Sequence, residues 1–566
     1  MSVRAQAAAQ DGKRRWRKRA RPKGRHVEPV ARAAVQETLA DMPRRRDLLL
    51  EALHLLNDRY RCLYAAHLVA LAAELRLSMT EVYEVATFYH HVDIIMDPHA
   101  EPADLTVRVC DSMTCAMCGA EELIADLKGS LPANVRVQRV PCVGRCQDAP
   151  VAICGQNPIA AATPERVSAA VAAKEIAAES LSPITYADYR RDGGYELWRQ
   201  CVNGERERAE VISTLQDSNL RGLGGAGFPA GRKWHLLRQE PAPRLVAINI
   251  DEGEPGTFKD RHFLERDPHR FLEGTLIAAW AIEAEEIYLY IRDEYTACRH
   301  MLARELDALR ADPPAPLPKI HLRRGAGAYI CGEESAMIES IEGRRGMPRL
   351  RPPFVAQNGL FGRPTLEHNM ETMHWVRAVL EKGSAWFSSH GRHERKGLRS
   401  FSVSGRVNKP GVHIAPAGIT LRELIDEYCG GMQAGHELYG YFPGGASGGI
   451  LPASMADIPL DFDTLQEVDA NTFIGSAAII VFSQHDKARD LAEIAMRFFA
   501  HESCGQCTPC RVGTDKAATL MQERQWDGEL LEDLSKVMVD ASICGLGQAA
   551  PNPLRCVIKY FPDEVA

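Results

Sequence analysis

The chain has 566 residues, of which 45% are hydrophobic and 25% are charged, a composition typical of globular proteins. This length exceeds what one hydrophobic core can fill and predicts about three to five domains. The net charge of -7 gives no reason to expect nucleic acid as a partner, and no apolar run reaches the ~20 residues of a membrane helix. We therefore expect a soluble protein without direct membrane insertion, and the lack of a secretory signal indicates the cytoplasm.

The first 45 residues are expected to form a flexible arm, because residues 13–25 carry nine Lys and Arg side chains and no apolar period. This arm is either solvated or lies on an acidic partner subunit. Residues 46–100 are predicted to form a helical domain, since leucines recur there near helical spacing. Ser78 and Glu81 have the spacing of a capping box and predict the start of a helix.

Residues 101–182 alternate between strand and helix patterns, which predicts a small α/β domain. Strands are expected at 105–109, 135–140 and 151–153, and a helix is expected at 121–128. The first two of these strands each lead into a loop that carries cysteines. Without an oxidising compartment, clustered cysteines are more typical of metal ligands than of disulfides.

Two cysteine pairs in these loops, Cys110 with Cys115 and Cys142 with Cys146, suit a [2Fe–2S] cluster. Cys118 offers a competing ligand set, because Cys110, Cys115 and Cys118 have the plant-type ferredoxin spacing. However, Cys118 runs into a helix, whereas Cys142 repeats the strand-end position of Cys110. We favour the two pairs as the ligands, with Cys118 as a bystander.

The segment 183–397 carries three glycine-rich or polar loops. Residues 222–227 match G-x-G-x-x-G, but a helical pattern rather than a strand precedes them, so they do not form a Rossmann fingerprint. Glycines still let backbone N–H groups approach a phosphate or a flat ring, and Lys233 is near enough to supply a cation. This loop therefore predicts a cofactor contact.

A predicted strand at 245–250 brings polar side chains to its end, namely Asn249, Asp251, Glu252 and Glu254. Massed carboxylates would repel phosphate, so we expect them to hold sugar hydroxyls, a ring edge or a nicotinamide amide. The third loop, at 325–329, leads to a predicted helix whose free N–H groups are expected to contact an anion or a flavin.

The last two segments differ in pattern, with short strands and glycine turns at 398–485 and helices at 486–566. Three cysteines of the helical segment share one loop as C-x2-C-x2-C, and a fourth lies far beyond them: Cys504, Cys507, Cys510 and Cys544. A triple on one loop with a remote fourth thiolate predicts a [4Fe–4S] cluster. The alternative, a four-cysteine zinc site, usually comes as two separated C-x2-C knuckles.

Four motifs, at residues 221–228, 251–260, 325–334 and 502–510, resemble the NADH-binding flavoprotein subunit of respiratory complex I. Residues 46–180, with the two cysteine pairs, resemble its small thioredoxin-like [2Fe–2S] subunit. The resemblance covers nearly everything after the basic arm, and its motifs are long enough to be specific.

This resemblance implies a multidomain α/β fold. A helical bundle would precede a thioredoxin-like [2Fe–2S] domain at 101–182 and a glycine-rich, non-Rossmann α/β domain for FMN at 183–397. A β-grasp (ubiquitin-like) domain at 398–485 and a C-terminal helical [4Fe–4S] bundle at 486–566 would complete the chain.

The resemblance also implies the cofactor contacts, with NAD(H) stacked on the flavin. The implied FMN contacts are Gly222, Gly224, Gly225, Lys233, Asn249, Asp251, Glu252, Tyr329, Gly332, Glu333, Glu334 and Asn369. The implied NAD(H) contacts are Phe228, Glu254, Arg351 and Phe354, with Glu254 supporting a hydride transfer that takes place at FMN. Three positions depart from the family pattern, in which asparagine, lysine and an aromatic residue are usual: His368, Arg351 and Leu236. These departures are expected to alter dinucleotide contacts rather than the flavin site.

The fusion of both subunits in one chain resembles two kinds of soluble NAD-dependent enzyme, in the β subunit of molybdenum- or tungsten-containing formate dehydrogenases and in the diaphorase subunit of NAD-reducing hydrogenases. Residues 88–93 look most like the formate dehydrogenase version. This implies a catalytic α subunit with a molybdenum- or tungsten-bis-pterin cofactor and further Fe–S clusters, and a small additional [2Fe–2S] subunit as an optional component. Electrons from formate would pass through [4Fe–4S] and FMN to NAD+. Two alternatives are the diaphorase subunit of an NAD-reducing [NiFe] hydrogenase and a stand-alone NADH:acceptor oxidoreductase. A non-catalytic electron-transfer scaffold is disfavoured by the intact glycine loop and acidic strand end.

Overall fold

The computed structural model describes residues 26–97 and 100–566. Its backbone separates into two units. Of the described residues, the smaller unit holds those at 26–87, 92–97 and 100, and the larger unit holds Phe88–His91 and Glu101–Ala566. Within the described residues, no helix combines the length and the apolarity needed to cross a bilayer.

The smaller unit is built from helices and one pair of very short strands. The helices are Pro29–Leu39 (α1), Leu49–Tyr60 (α2), Ala65–Leu75 (α3) and Met79–Ala86 (α4), and the parallel strands are Leu63–Tyr64 (β1) and Ile94–Ile95 (β2). The capping box at the start of α4 is confirmed. Ser78 Oγ accepts from the Glu81 N–H at 3.1 Å, and Glu81 Oε2 accepts from the Ser78 N–H at 2.9 Å.

Helix α1 corrects the expectation that the first 45 residues form a flexible arm. Ala31, Val35 and Leu39 are buried and recur at four-residue steps, so one face of α1 packs inside this unit. A stripe of only three apolar residues gives a weak sequence signal, which is why the helix was missed. The basic stretch at 13–25 lies outside the described residues.

Residues 88–91 also depart from the expected helical domain at 46–100, because they belong to the larger unit. The buried Tyr89 donates its hydroxyl to Ser340 Oγ at 2.8 Å. The His90 and His91 N–H groups donate to the Gly327 and Ala326 carbonyls, each at 3.2 Å. We call residues 88–91 the strap.

The [2Fe–2S]-like part of the larger unit has a four-stranded sheet in the order β4-β3-β5-β6. Its elements are Leu105–Cys110 (β3), Met113–Met117 (α5), Ala120–Ser130 (α6), Val135–Val140 (β4), Ala152–Cys154 (β5), Asn157–Ile159 (β6) and Pro164–Ala173 (α7). Strands β3 and β4 are parallel, and Cys110 lies opposite Val140. The loops that follow these two strands therefore start side by side.

A second, parallel sheet has the order β10-β7-β8-β9. Its strands are Arg244–Ile250 (β7), Ala284–Ile291 (β8), Lys319–Arg324 (β9) and Thr365–Asn369 (β10). The surrounding helices are Tyr186–Arg191 (α8), Glu196–Val202 (α9), Arg208–Asp217 (α10), Ala230–Leu237 (α11), Lys259–Leu264 (α12), Pro268–Ala281 (α13), Thr296–Ala311 (α14), Glu334–Ile341 (α15), Met370–Lys382 (α16) and Ser384–Ser389 (α17). Strand β7 is buried along almost its whole length, as expected for a central parallel strand. Asn249 and Asn369 are register partners at the carboxyl end of this sheet.

The remaining residues form a mixed sheet in the order β12-β11-β15-β13-β14, followed by helices. The sheet segment comprises Leu398–Gly405 (β11), Gly411–Pro416 (β12), Leu421–Glu427 (α18), Leu438–Phe442 (β13), Leu451–Pro452 (β14), Thr464–Val468 (α19) and Ala478–Ser483 (β15). The helices are Ala488–Glu502 (α20), Thr508–Met521 (α21), Gly528–Ala541 (α22), Gly545–Ala549 (α23) and Asn552–Tyr560 (α24).

Candidate functional site

A large pocket of about 980 Å³ opens at the carboxyl end of the β10-β7-β8-β9 sheet. The glycine loop, the ends of β7 and β10 and the turn before α15 line it, and we call it the main pocket. Two more segments close it from the other side: the loops at 444–447 and 473–476 of the mixed sheet, and helix α23 with Leu546. The pocket is therefore completed by residues that are far apart in the sequence.

The glycine loop lies directly against the end of β10. A Cβ atom at Gly224 would come within 3.0 Å of Asn369 Cβ, and Gly225 has a φ of +124°, which favours glycine. Helix α10 ends before the loop and α11 begins soon after it, at Ala230. A helix, and not a strand, therefore leads into the loop, unlike in a Rossmann fingerprint.

Asp251 and Glu252 leave the end of β7 and differ in burial and in their partners: Glu252 is buried, whereas Asp251 is half-buried with its Oδ2 atom shielded from solvent. Asp251 Oδ2 has no hydrogen-bond partner among the described residues, and burial raises the pKa of this carboxyl well above its usual range. Glu252 accepts from the Asp260 and Arg261 N–H groups at 2.8 and 3.1 Å. Burial, and then the charge of Asp260, raises the pKa of Glu252 to about 7. Glu252 thus anchors helix α12, while Asp251 is left to contact a ligand.

Glu254 is held from two sides. The Tyr329 hydroxyl donates to one of its carboxyl oxygens, and the Ser447 N–H and hydroxyl donate to Oε1, each at 2.8 Å. Burial raises the pKa of Glu254, although these hydrogen bonds oppose the shift. Asn552 in turn donates to the Ser447 carbonyl at 2.9 Å. Sequence reasoning missed Ser447 and Asn552, and the glycines at 444–449 were the only signal for the Ser447 loop.

Two lysines bring positive charge to the main pocket. Lys233 Nζ lies 3.3 Å from Glu367 Oε2 and 3.9 Å from a Glu334 carboxyl oxygen. Lys259, which sequence reasoning also missed, is fully buried. Its ammonium lies 3.0 Å from Asp260 and 3.1 Å from Glu371, and those charges raise its pKa although burial opposes them.

Two of the N–H groups at the start of α15 that were expected to be free are capped. Glu333 caps the helix itself, since its Oε2 accepts from the Ser335 and Ala336 N–H groups at 3.0 and 2.9 Å. Arg351 pairs with the other oxygen of Glu333. A contact of this helix start with an anion or a flavin therefore stays a prediction, and it would not use these two N–H groups. Gly332 leaves little room for a side chain, because a Cβ atom there would lie 3.2 Å from the Asp251 carbonyl oxygen.

The mouth of the main pocket is apolar. Phe228, Leu236 and Phe354 line it and expose 41%, 43% and 50% of their surfaces. His368 lines the pocket as well and is buried, with its Nε2 accepting from Trp234 Nε1 at 2.9 Å. The structure gathers every residue predicted from the sequence for FMN or NAD(H) around this one pocket.

These features fit a flavin mononucleotide. The pocket has one buried carboxyl oxygen without a partner among the described residues, glycines whose side-chain positions are taken by neighbouring atoms, and two lysines. A flat polar ring with a phosphate tail needs all three kinds of contact.

The two cysteine pairs converge. Cys142 Sγ and Cys146 Sγ lie 3.3 Å apart, and Cys110 is a neighbour of both Cys115 and Cys142. Cys118 lies outside this chain of sulfur contacts. The loop between the second pair contacts residues that follow β7 and β8, since Cys142 and Cys146 pack on Phe258 and Arg292 donates to the Cys142 carbonyl at 2.8 Å.

The other four cysteines, Cys504, Cys507, Cys510 and Cys544, line one cavity of about 10 Å³ with Ile330 and Leu546. Burial raises the pKa of Cys510 to about 11 and that of Cys544 to about 12. All sixteen cysteines of the chain are free. Groups of buried thiols carry charge only when a cation compensates it, so both donor sets fit iron–sulfur clusters.

Four family models match the chain in succession. They are a thioredoxin-like [2Fe–2S] ferredoxin at 35–175, the Nuo51 FMN-binding domain at 215–378, an SLBB domain at 399–481 and the NADH-ubiquinone oxidoreductase-F iron–sulfur binding region at 490–566. Among curated proteins, the NADH-quinone oxidoreductase F 2 subunit of Rhizobium meliloti (strain 1021) is 41% identical over 394 residues, which are 66% of this chain and 92% of that protein.

The chain belongs to the family of NADH-quinone oxidoreductase F subunits. The F subunit of Aquifex aeolicus (strain VF5) is 40% identical over 398 residues, 67% of this chain and 89% of that protein. A solved NAD+-reducing [NiFe]-hydrogenase chain is 30% identical, with a TM-score of 0.80, and the match covers 93% of this chain and 94% of that one. Unlike these two F subunits, the hydrogenase chain matches nearly the whole length of this chain.

Membership in this family, together with the four matched models, confirms the predicted fold class and cofactors. The chain joins a thioredoxin-like [2Fe–2S] domain, an FMN-binding domain, an SLBB domain and a [4Fe–4S] region. FMN, both cluster types and NAD(H) are the cofactors of this combination. The chain is thus an NADH-oxidising flavin and iron–sulfur subunit of the complex I type.

Proposed function

We propose that this chain is the diaphorase subunit of a soluble, cytoplasmic NAD-dependent formate dehydrogenase. In this assignment it exchanges electrons between NAD(H) and a catalytic subunit with a molybdenum- or tungsten-pterin cofactor. One observation carries the electron exchange: Ile330 and Leu546 line both the main pocket and the cavity of the four C-terminal cysteines. The flavin site and the [4Fe–4S] site are therefore immediate neighbours.

When bound, FMN supplies the coupling between a two-electron hydride transfer and one-electron carriers. We assign its binding to the twelve positions named from the sequence, with the unpartnered Asp251 oxygen facing the ligand. The two lysines of the pocket are each paired with two carboxylates: Lys233 with Glu334 and Glu367, and the buried Lys259 with Asp260 and Glu371. Their positive charge is therefore partly compensated, and it limits the repulsion between those carboxylates and the phosphate rather than acting as a free cation would.

We assign the dinucleotide to the mouth of the main pocket. Phe228 and Phe354 offer apolar surface to its rings and exclude water from the flavin. Glu254, fixed by Tyr329 and Ser447, presents a carboxyl group at a set position beside the reacting rings. Arg351 is already paired with Glu333, so its charge contributes less to phosphate binding than a free cation would.

We assign the [2Fe–2S] cluster to Cys110, Cys115, Cys142 and Cys146 and the [4Fe–4S] cluster to Cys504, Cys507, Cys510 and Cys544. The sulfur contacts support the first set, and the shared cavity supports the second.

Formate as the ultimate donor is supported by residues 88–93, which look most like the formate dehydrogenase version of this fusion, whereas the similar stretch at 545–553 is shared with the hydrogenases and does not separate the two. A second candidate, the diaphorase subunit of an NAD-reducing hydrogenase, is favoured by the solved hydrogenase chain that matches 93% of this chain. A stand-alone NADH:acceptor oxidoreductase is the third candidate.

Copurification from the native source followed by metal analysis tests this proposal. We expect a larger subunit with molybdenum or tungsten, whereas nickel would make hydrogen the donor. The isolated chain should reduce artificial acceptors with NADH and gain formate:NAD+ activity only when that subunit is added. Formate oxidation by the chain alone would contradict the assignment of formate oxidation to the partner subunit and of NAD(H) exchange to this chain.

The basic stretch at 13–25 is proposed to contact the partner. Deleting residues 1–30 should then weaken assembly at low ionic strength and matter less at high salt, because exposed charges are screened within about 10 Å at 0.1 M. Equal assembly of the truncated and full chains at low salt would rule this contact out.

A further inference from the structure

Besides the main pocket, the larger unit has a polar cavity of about 90 Å³. We call it the side cavity. It shares Asp251, Gly253 and Tyr329 with the main pocket, and it also contacts His90 of the strap and the end of helix α20. Among the groups of this cavity that the iron–sulfur and flavin assignments do not use are an exposed histidine pair and a buried glutamate.

The histidine pair and the glutamate form a compact donor set. His90, His501 and Glu502 each offer one ligand atom, and these atoms all lie within 4.8 Å of one another. The imidazole rings of His90 and His501 stack with their centroids 4.1 Å apart. His501 Nδ1 already lies 3.1 Å from Glu502 Oε1. Two donors on one tetrahedral zinc, each bonded at about 2.0–2.1 Å, lie about 3.3 Å apart. The 3.1 Å between His501 Nδ1 and Glu502 Oε1 is close to this donor–donor distance.

The donors are also held in place from outside. Glu502 is buried, and its Oε2 accepts from the Tyr329 N–H at 2.8 Å, so Oε1, which lies against His501 Nδ1, is the oxygen that would bind an ion. The His90 backbone N–H is bonded to the Gly327 carbonyl at 3.2 Å. Such outer contacts orient metal ligands and reduce the entropy lost when the ion binds.

We propose that His90, His501 and Glu502 form a binding site for a divalent transition-metal ion of the zinc type. Two imidazoles and one carboxylate are a donor set that zinc accepts, with a fourth position left for water. The ion joins the strap to the end of α20, two residues before Cys504, and it covers one side of the side cavity. No redox change accompanies its binding.

Zinc binding to the holoprotein, with its FMN and iron in place, tests this proposal. Equilibrium dialysis against zinc chloride followed by elemental analysis should give one zinc per chain with the iron content unchanged. Zinc-edge X-ray absorption should then report nitrogen and oxygen neighbours at about 2.0–2.1 Å and no sulfur near 2.3 Å. Sulfur neighbours, or loss of iron, would mean that zinc enters the cysteine sites and would overturn the proposal, as would no binding at all.

Variants locate the site. We expect His90→Ala and His501→Ala each to weaken zinc binding at least tenfold, while flavin and cluster absorption stays as in the wild type. Two independent variants guard against misfolding of either one. His485→Ala is the matched control, because His485 also pairs with a histidine, His436, at a centroid distance of 5.3 Å. Wild-type affinity in both test variants, or an equal loss in the control, would place the zinc elsewhere.

Discussion

At the scale of single residues, Glu254 shows how a reactive position is fixed by parts of the chain that are remote in sequence. Tyr329 holds one oxygen from the turn before α15, and Ser447 holds the other from the mixed sheet. Neither contact supports the glycine loop, so the position of Glu254 and the retention of FMN are separable.

We therefore expect Glu254→Gln to lower NADH-dependent dye reduction by about tenfold while FMN is retained. The amide keeps the shape but removes the negative charge that both hydroxyls now contact. A tenfold loss corresponds to about 1.4 kcal/mol, the range of one charged hydrogen bond. Steady-state kinetics and flavin content measure the two effects. A variant that loses FMN yet reduces dye normally after reconstitution would contradict this role.

Glu252 makes a prediction about pH. Its pKa is raised to about 7, so the folded protein holds this proton more tightly than the unfolded chain does. The contribution of the protonated Glu252 to the free energy of unfolding is fully present below a pH of about 4.5 and is lost as the pH rises through 7. At 1.36 kcal/mol per pKa unit, the loss is on the order of 3 kcal/mol.

Glu252→Gln cannot ionise, so its Tm relative to the wild type should rise between pH 5 and pH 8. Thermal unfolding of both proteins at several pH values measures this difference. The exposed Glu467→Gln serves as the control and should show no such trend. A constant difference between Glu252→Gln and the wild type would show that Glu252 does not titrate in this range.

At the scale of elements, the ends of β3 and β4 support the proposed [2Fe–2S] ligands. Their parallel register brings the two cysteine loops together, and Cys118 lies beyond them at the end of α5. We expect Cys118→Ser to keep the electron paramagnetic resonance signal of the reduced [2Fe–2S] cluster and Cys142→Ser to abolish it. The reverse result would establish the ferredoxin-type spacing as the ligand set.

Elements with a strong local signal were predictable. Strands β3, β4 and β7 and the capped start of α4 follow from apolar runs and a capping box, and they lie within two residues of expectation. Helix α1 was missed because its buried stripe is too narrow. The cap of α15 was missed because Glu333 turns back on its own helix, which spacing alone does not reveal.

The composition of the main pocket was only partly predictable for a different reason. The glycine loop, the β7 end and the cysteine spacings are local patterns. Three residues acquire their roles through contacts with partners that are distant in the sequence. Ser447 contacts Glu254, 193 positions away, and Asn552 contacts Ser447, 105 positions away. Lys259 contacts Glu371, 112 positions away. A single sequence carries no record of such pairings.

At the scale of the whole molecule, the chain is expected to hold one FMN and about six irons, from one [4Fe–4S] and one [2Fe–2S] cluster. Chemical analysis of the purified chain, combined with electron paramagnetic resonance, measures both. Iron near four, with only one kind of cluster signal, would remove one of the two cysteine sites.

The lining of the main pocket also bears on how the protein is made. Its first segment, the glycine loop, leaves the ribosome long before α23, which supplies Leu546 and Ala549 to the same wall. A nascent chain that folds domain by domain therefore keeps this wall open until synthesis has passed residue 549. Flavin insertion is thus expected late in the synthesis of the protein. A chain whose synthesis stops before α23 lacks one wall of the main pocket.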